Sequence, residues 1–180
     1  YSEEAINAPL PECTIYENVF RNNKDFLDNN ALCYFGNKVT YRTLFENVQS
    51  AKNAFLVQGV KKGDRVIMFT SSTPETVYSI LALSTIGAVA NMISPLFTEE
   101  QIIERINETE ASLLVVLDQL YGIVKNTIKK TCINKTIIVP IYNAMSGLTK
   151  VVAAWKKKQK IIYSESVITW NEFLAQGLSA

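Results

Sequence analysis

The segment from Lys61 to Glu75 reads KKGDRVIMFTSSTPE and shows most clearly which fold the chain adopts. A glycine and a charge cluster lead into the apolar run 66–69, which is typical of a strand buried on both faces of a sheet. Thr73 and Pro74 then predict a helix start, with a hydroxyl cap and a proline at the first helical position, while Glu75 supplies an acid in the first turn. The segment therefore predicts a strand, a short turn and a helix.

The same alternation of buried strands and helices continues on both sides of this segment. Upstream, a helix is predicted between a cap at Thr40 and a stop at Gly59, with Leu44, Val48 and Phe55 on its buried face. Further strands are predicted at 88–94, 112–118, 135–142 and 160–164, and further helices at 75–87, 99–106, 119–130 and 170–177. Repeated β-α-β units of this size predict an α/β fold with a largely parallel sheet flanked by helices on both faces.

Composition excludes several classes of protein. The chain has 180 residues, of which 48% are hydrophobic and 19% charged, so it can bury a sizeable core. A net charge of +1 argues against a broad nucleic-acid surface. The chain has no histidine, which removes the commonest general base and metal ligand. Cys13, Cys33 and Cys132 are far apart and odd in number, which favours free thiols in a reduced, cytoplasmic compartment over a zinc site or disulfide framework.

The turn that follows the first buried strand has the hydroxyl residues of a phosphate loop but lacks the rest of one. Between Thr70 and Glu75 there is neither a glycine, which lets backbone amides close around an anion, nor a lysine for the outer phosphates. Helix capping is therefore the favoured interpretation of Thr73. Asp118, at the end of a later strand, is interpreted as a solvated acid, and Asp64 with Arg65 as a turn or a surface pair. We predict no catalytic residue and no metal ligand among them.

Two other segments have both a structural and a functional interpretation. Ser94-Pro95-Leu96 joins a strand end to a capped helix start, which can form a concave, amide-rich corner for a ligand or merely a tight connection; the connection is favoured. The segment 143–160 places Trp155 among clustered lysines. These lysines fit a solvated face or an anionic membrane surface about equally well, and nucleic acid less well. The membrane interpretation involves Lys150, Trp155, Lys156, Lys157 and Lys158.

The order of these segments resembles the N-terminal part of adenylate-forming enzymes, in particular acyl-CoA synthetases. The resemblance covers roughly residues 14–118. Its motifs, each weak alone and specific in this order and spacing, are Val39-Thr40-Tyr41 with Leu44, the run Gly59–Val66, Pro74-Glu75, and Gly87-Ala88-Val89 followed by Pro95-Leu96. A weaker resemblance, of 146–160 and 167–177, is to long-chain fatty acyl-CoA synthetases.

The resemblance implies a two-step reaction, in which a carboxylate and ATP give an acyl-adenylate and coenzyme A then gives the thioester. It implies ATP, Mg²⁺ and CoA for the intact enzyme, with the Ser94-Pro95-Leu96 corner near the CoA or acyl path. The family's phosphate loop, nucleotide-binding motifs and lysine-bearing C-terminal domain follow the region that this sequence resembles. We therefore expect a fragment that binds no cofactor and is inactive alone, whose partner is the remainder of its own synthetase chain, and which is cytoplasmic with a peripheral membrane association as an alternative.

The resemblance and the element pattern together suggest three segments. They are an N-terminal extension and lead-in strand at 1–38, the α/β sheet subdomain at 39–142, and a basic amphipathic segment with a terminal helix at 143–180. A free-standing flavodoxin-like binding or regulatory module is the alternative function. A receiver-type module would need acids after its first central strand, where this chain has MFTSST, and a flavin module would need a glycine-containing phosphate cradle.

Overall fold

The computed structural model describes residues 2–9, 11–147 and 161–178. Its helices are α1 Glu3–Asn7, α2 Ile15–Asn23, α3 Tyr41–Val57, α4 Pro74–Ile86, α5 Glu99–Thr109, α6 Tyr121–Val124 and α7 Trp170–Leu178, with a 3₁₀ helix at Thr127–Lys130. Its strands are β1 Asn30–Tyr34, β2 Asn37–Thr40, β3 Arg65–Phe69, β4 Val89–Met92, β5 Leu113–Leu117, β6 Lys135–Val139 and β7 Val167–Thr169.

Five strands form one parallel sheet in the order β4-β3-β5-β6-β7. The predicted α/β fold with a largely parallel sheet is thereby confirmed. After β3 the chain adds β4 on one side, then crosses back to place β5 on the other side. The topology therefore changes direction between β3 and β5, and at such a point the connections diverge and leave a crevice at the carboxyl ends of the strands.

Helices cover both faces of the sheet because its strands are apolar on both sides. Val66 and Met68 face a core that includes residues of α3, α4 and α7, whereas Ile67 and Phe69 face a second core with residues of α5 and α6. β5 is buried along its whole length. Such a continuous apolar run, without alternation, is what a strand between two helical layers requires.

Helix α4 begins and ends where the sequence predicts. The Thr73 side chain accepts a hydrogen bond from the Thr76 amide, Pro74 occupies the first turn, and Gly87 ends the helix in the left-handed conformation at φ 78°. A glycine tolerates that conformation without a steric cost. Capping boxes begin two other helices: Thr98 and Gln101 form one at the start of α5, and Thr169 and Glu172 form one at the start of α7.

Three predicted elements differ from the structure. The helix predicted at 119–130 is broken into α6 and the 3₁₀ helix, because Gly122 and Asn126 are weak helix formers and the Thr127 hydroxyl bonds back to the Ile123 carbonyl. The strand predicted at 160–164 is replaced by β7 at 167–169, and Ser164 makes only an isolated bridge to Val167. The strand predicted at 135–142 ends at Val139, because Pro140 has no amide to donate to the sheet, and this strand, β6, lies between β5 and β7.

The N-terminal region contains helices and a hairpin, where the sequence analysis predicted only a lead-in strand within 1–38. Helix α2 has a complete capping box formed by Thr14 and Glu17. Strands β1 and β2 form a separate antiparallel hairpin whose turn places Phe35 and Gly36 at positive φ, 44° and 80°. That turn is the feature that brings Tyr34 to the sheet, where it contacts the segment after β6.

Candidate functional site

The carboxyl ends of the parallel strands gather polar side chains that are distant in sequence. Thr70 follows β3, Asp118 follows β5, and Asn143 lies just after β6. Glu75 joins them from the first turn of α4, and Tyr34 from the hairpin. Because open α/β sheets bind ligands at this edge, next to the point where the topology changes direction, this is the candidate site.

Direct hydrogen bonds connect most of these residues. Asn143 Nδ2 donates to the Glu75 carboxylate at 2.9 Å, and an Asp118 carboxylate oxygen accepts from the Ile141 amide at 3.2 Å. The Tyr34 hydroxyl donates to the Ile141 carbonyl at 3.0 Å. We call Tyr34, Glu75, Asp118 and Asn143 the carboxyl-edge cluster, since its contacts fix the segment after β6 against both α4 and the hairpin.

The carboxylates of the cluster raise the pKa of two neighbouring phenols, those of Tyr34 and Tyr78. Burial raises the pKa of Tyr34, and the charges of Glu75 and Asp118 raise it further. Burial, with a further contribution from Glu75, raises the pKa of Tyr78 to about 12. Both tyrosines therefore stay protonated at neutral pH. The potential at the cluster is negative, so it suits a cation or a hydrogen-bond donor better than a phosphate.

Thr70 is the one group at this edge, among the described residues, whose buried polar atom has no partner. Its hydroxyl oxygen is fully enclosed and makes no hydrogen bond, and the residue is only 3% exposed. A buried hydroxyl without a partner costs about 1–3 kcal/mol relative to a satisfied one. The unsatisfied hydroxyl of Thr70 therefore lowers the stability of the fold at this end of the sheet.

The connection from β3 to α4 does not fit the phosphates of ATP. The Thr76 hydroxyl donates to the Ser71 carbonyl at 2.8 Å, and Thr73 occupies the helix N-terminus as its cap. Without a glycine or a lysine, the turn offers neither free amides nor a cation to an anion. Helix capping, the favoured interpretation, is confirmed. Within the described residues, no group of three or more acidic or cysteine side chains could hold a metal ion such as Mg²⁺.

The interpretation of Asp118 as a solvated acid was wrong. The residue is only 5% exposed, and its carboxylate bonds to the backbone of the segment after β6. Glu75 is equally buried, although a first-turn acid ordinarily faces solvent. Neither burial could be read from the sequence, because the partners Ile141 and Asn143 lie 23 and 68 positions away.

At the amino ends of the strands, Asp64 forms a turn, which is one of the two roles predicted for it. Its carboxylate accepts from the Lys61 amide at 2.9 Å. A cleft of about 360 Å³ lies beside it, lined by Gly59, Lys61, Gly63, Asp64, Arg65, Thr109, Glu110 and Ser112. Its cationic and anionic side chains are equal in number, and it lies at the amino ends of the strands. It is therefore a poor candidate for a ligand site of such an α/β sheet.

The predicted corner at 94–96 is a real bend. The Ser94 hydroxyl accepts from the Leu96 amide at 3.2 Å, and the Ser94 carbonyl accepts from the Phe97 amide at 3.2 Å. Leu96, at the centre of the bend, is 93% exposed. The corner lies beside the carboxyl end of β4 and is separate from the carboxyl-edge cluster.

The other residues singled out in the sequence are those of the lysine-rich segment and the three cysteines. Lys150, Trp155, Lys156, Lys157 and Lys158 lie outside the described residues. Cys13, Cys33 and Cys132 are free thiols, as predicted. Across the three described ranges, no helix has both the length and the apolar character needed to cross a membrane.

Many solved structures share this fold, and two CoA ligases are among them. An anthranilate CoA ligase in complex with anthranoyl-AMP superimposes with a TM-score of 0.74 at 17% identity, covering 95% of this chain and 29% of that one. A benzoate CoA ligase from Burkholderia xenovorans gives a TM-score of 0.66 at 17% identity, covering 75% of this chain and 29% of the other. At such identities the likeness concerns the fold alone.

Sequence comparison finds relatives of known activity. Acetyl-coenzyme A synthetases of Brucella canis and Brucella suis are 38% identical to this chain over 86 residues, which are 48% of this chain and 13% of the relative. This chain thus matches only a small part of the length of these curated relatives. The family model described as AMP-binding enzyme matches residues 19–173, most of the chain. The predicted resemblance to adenylate-forming enzymes is thereby confirmed, and this chain belongs to the AMP-binding enzyme family.

Proposed function

We propose that this chain is the N-terminal fragment of an ATP-dependent acyl-CoA synthetase that converts a fatty acid, ATP and CoA into acyl-CoA, AMP and pyrophosphate. The observation that carries the proposal is the family match over residues 19–173. The shared fold of two CoA ligases, of which this chain covers 29%, supports the view that it is part of a larger enzyme. ATP, Mg²⁺ and CoA are accordingly cofactors of the intact enzyme.

The proposal includes inactivity of the 180-residue chain on its own. Adenylation needs donors and positive charge around the transferring phosphoryl group. The β3–α4 turn provides neither, and the carboxyl-edge cluster is anionic. What this chain contributes is a rigid sheet whose carboxyl edge positions the corner at 94–96.

Exchange between ATP and labelled pyrophosphate tests both statements. The full-length gene product, assayed with carboxylic acids from acetate to long-chain fatty acids, should catalyse exchange, fastest with the long-chain acids. The 180-residue chain should show none above background with any of them. A full-length protein that prefers acetate or an aromatic acid would contradict the fatty-acid assignment, and exchange by the short chain would contradict its inactivity.

We also propose that Ser94, Pro95 and Leu96 lie beside the CoA or acyl path of the intact enzyme. The nearly full exposure of Leu96 at the carboxyl edge supports this, because an apolar side chain there is available to an acyl or pantetheine chain. Leu96→Arg in the full-length enzyme should raise the KM for CoA or for the fatty acid about tenfold or more. Leu178→Arg is the matched control, since Leu178 is also exposed, at 78%. Equal kinetics of the two variants would count against the proposal.

A peripheral membrane association through Lys150, Trp155, Lys156, Lys157 and Lys158 belongs to the same proposal. Aromatic and aliphatic side chains beside lysines bind anionic lipid surfaces by burial and by charge. The protein should therefore co-sediment with vesicles containing phosphatidylserine and be released at high salt. If the protein co-sediments equally with neutral vesicles, or with neither kind of vesicle, the lysines form a solvated face and do not bind the membrane.

The free-standing flavodoxin-like module is not favoured. The order of the five parallel strands is the one that flavodoxin-like proteins use, so the sheet alone does not distinguish the two. The β3–α4 turn lacks both the acids of a receiver and the glycines of a flavin cradle, and the family match extends over most of the chain.

A further inference from the structure

The hairpin of β1 and β2 ends in a turn that carries an exposed aromatic side chain. Tyr34 pairs with Asn37, so Phe35 and Gly36 are the two central residues of the turn, and both have positive φ, 44° and 80°. Two-residue turns of this kind favour asparagine, aspartate or glycine, because most other residues are disfavoured at positive φ. Phe35 is therefore a poor residue for the turn itself. We call Phe35 and Gly36 the hairpin tip.

Packing within the described residues does not explain the phenylalanine either. The Phe35 side chain is 58% exposed, and its ring packs edge-on against that of its neighbour Tyr34, with 4.8 Å between the centroids. An apolar side chain that stays in water gains little from burial, so neither the turn nor the core favours phenylalanine over asparagine here. The combination of an unfavourable backbone conformation and an exposed ring indicates a contact outside the described fold.

The hairpin tip lies beside the start of the lysine-rich segment, 143–160. Asn37 Nδ2 donates to the Ala144 carbonyl at 3.0 Å. A Cβ added to Gly36 would lie 3.8 Å from the Ser146 hydroxyl oxygen. The chain therefore enters the lysine-rich segment next to the hairpin tip.

The charges of the hairpin and of the lysine-rich segment are all positive. Residues 30–40 contain no acid, and Lys38 is exposed. The lysine-rich segment contains no acid either, and its lysines are Lys150, Lys156, Lys157, Lys158 and Lys160. Lys150 follows Ser146 by four positions, and four residues of extended chain span at most about 14 Å. The first of these lysines can therefore contact the same surface as the hairpin tip.

We propose that Phe35 is an apolar anchor, which enters the interface of an anionic lipid bilayer while the lysine-rich segment binds the lipid headgroups. The inference rests on the membrane association proposed above. A ring that leaves water for the bilayer interface gains the burial that the described fold does not give it. Peripheral binding becomes stable when an apolar contact and a basic patch act together, and the hairpin tip supplies the apolar contact.

The nearby carboxylates do not exclude this contact. Glu75 and Asp118 are only 3% and 5% exposed, and they bond to the side chain of Asn143 and to the Ile141 amide. These two buried charges are outnumbered by Lys38 and the five lysines of the lysine-rich segment. The net charge of these groups is therefore positive, which favours phosphatidylserine.

Binding to vesicles tests the anchor. The full-length protein is mixed with vesicles of equal parts phosphatidylserine and phosphatidylcholine, and Phe35→Ser should weaken its binding about tenfold, through the loss of one buried phenylalanine. Phe26→Ser is the matched control and should bind like the unaltered protein, since Phe26 is 56% exposed but lies between Asp25 and Asp28 in sequence. Equal binding by Phe35→Ser and the unaltered protein would overturn the proposal.

Tryptophan fluorescence gives an independent readout of insertion. In a protein with Trp155→Phe, the emission of Phe35→Trp should move to shorter wavelength when vesicles are added and should be quenched by brominated lipids. Phe26→Trp should show neither effect, and the buried Trp170 contributes equally to both variants. An emission from Phe35→Trp that is already at short wavelength without vesicles would overturn the proposal, because another part of the ligase would then cover the hairpin tip.

A substitution that suits the turn separates a membrane role from a structural one. Phe35→Asn should raise the melting temperature of the full-length protein, because asparagine is favoured at positive φ, and should still weaken vesicle binding. A lower melting temperature with unchanged binding would assign Phe35 a structural role and overturn the proposal. If the unaltered protein does not bind, the proposed membrane association fails together with this inference. Binding that Phe35→Ser and Phe35→Asn leave intact would refute only the anchor.

Discussion

Among single residues, Thr70 and Thr76 form a natural pair for comparison. Both are buried threonines at the carboxyl edge, 3% and 5% exposed, but only the Thr76 hydroxyl has partners. Thr70→Val replaces an unsatisfied hydroxyl with a methyl group of the same shape and should stabilise the fold by about 1 kcal/mol. Thr76→Val removes a hydrogen bond to Ser71 and should destabilise it by a similar amount. Urea unfolding measures both, and a loss of stability in Thr70→Val would show that its hydroxyl has a partner.

The pKa of Tyr78 gives a prediction at alkaline pH. An unfolded tyrosine has a pKa near 10, whereas burial and the Glu75 charge raise the folded value to about 12. The folded state thus holds its proton longer, so this contribution is complete below pH 10 and is lost as the pH rises towards 12. Tyr78→Phe should therefore show a shallower decline in the free energy of unfolding between pH 10 and 12. An unchanged slope would mean that Tyr78 titrates normally.

At the scale of helices and strands, the contact between α3 and α7 depends on one glycine. A Cβ added to Gly177 would lie 2.5 Å from the Ala54 backbone nitrogen and 2.8 Å from its Cα, closer than atoms can approach. Gly177→Ala should therefore destabilise the fold by about 1–3 kcal/mol, even though alanine is the better helix former. Thermal unfolding measures the loss.

A second substitution, at Ala54, tests whether the added methyl group collides with the Ala54 backbone or only with its methyl group. Because the nearest atoms belong to the Ala54 backbone, removing the Ala54 methyl group leaves them in place. The double variant with Ala54→Gly should remain as unstable as Gly177→Ala or become worse. Recovery of stability would instead mean that the two methyl groups alone collide.

Elements with a strong local signal could be predicted from the sequence, and elements fixed by distant contacts could not. β3, α4 and β5 have continuous apolar runs or explicit caps, so their existence and approximate bounds were accessible. The α6 region has helical spacing as well, but Gly122 and Asn126 interrupt it. The capping box of α2 was a readable signal that was missed.

In the candidate site, too, features with a local sequence signal could be predicted, and features that depend on distant contacts could not. The position of Asp118 at the end of a strand was accessible, because it depends only on the apolar run before it. The burial of Asp118 depends on the segment after β6. The hydrogen bond of Tyr34 to Ile141 depends on a hairpin turn, and it joins residues that are 107 positions apart. No local pattern records such distances.

At the scale of the whole molecule, contacts between the three proposed segments, 1–38, 39–142 and 143–180, determine whether they unfold separately. β7 pairs with β6 through Ile137 and Ile168, and the rings of Phe55 and Phe173 lie 4.8 Å apart. These contacts join the last segment to the sheet and to α3. A shared core of this kind makes unfolding cooperative.

We therefore expect one unfolding transition, and Trp170 can report on it. Trp170 is buried in the same core as Phe173, whereas Trp155 lies outside the described residues, so Trp155→Phe leaves Trp170 as the single fluorophore. In urea, the fluorescence of that variant and its far-ultraviolet circular dichroism should give the same midpoint and the same slope. An earlier fluorescence midpoint would mean that 143–180 detaches before the sheet unfolds, and that the segment is a separate unit.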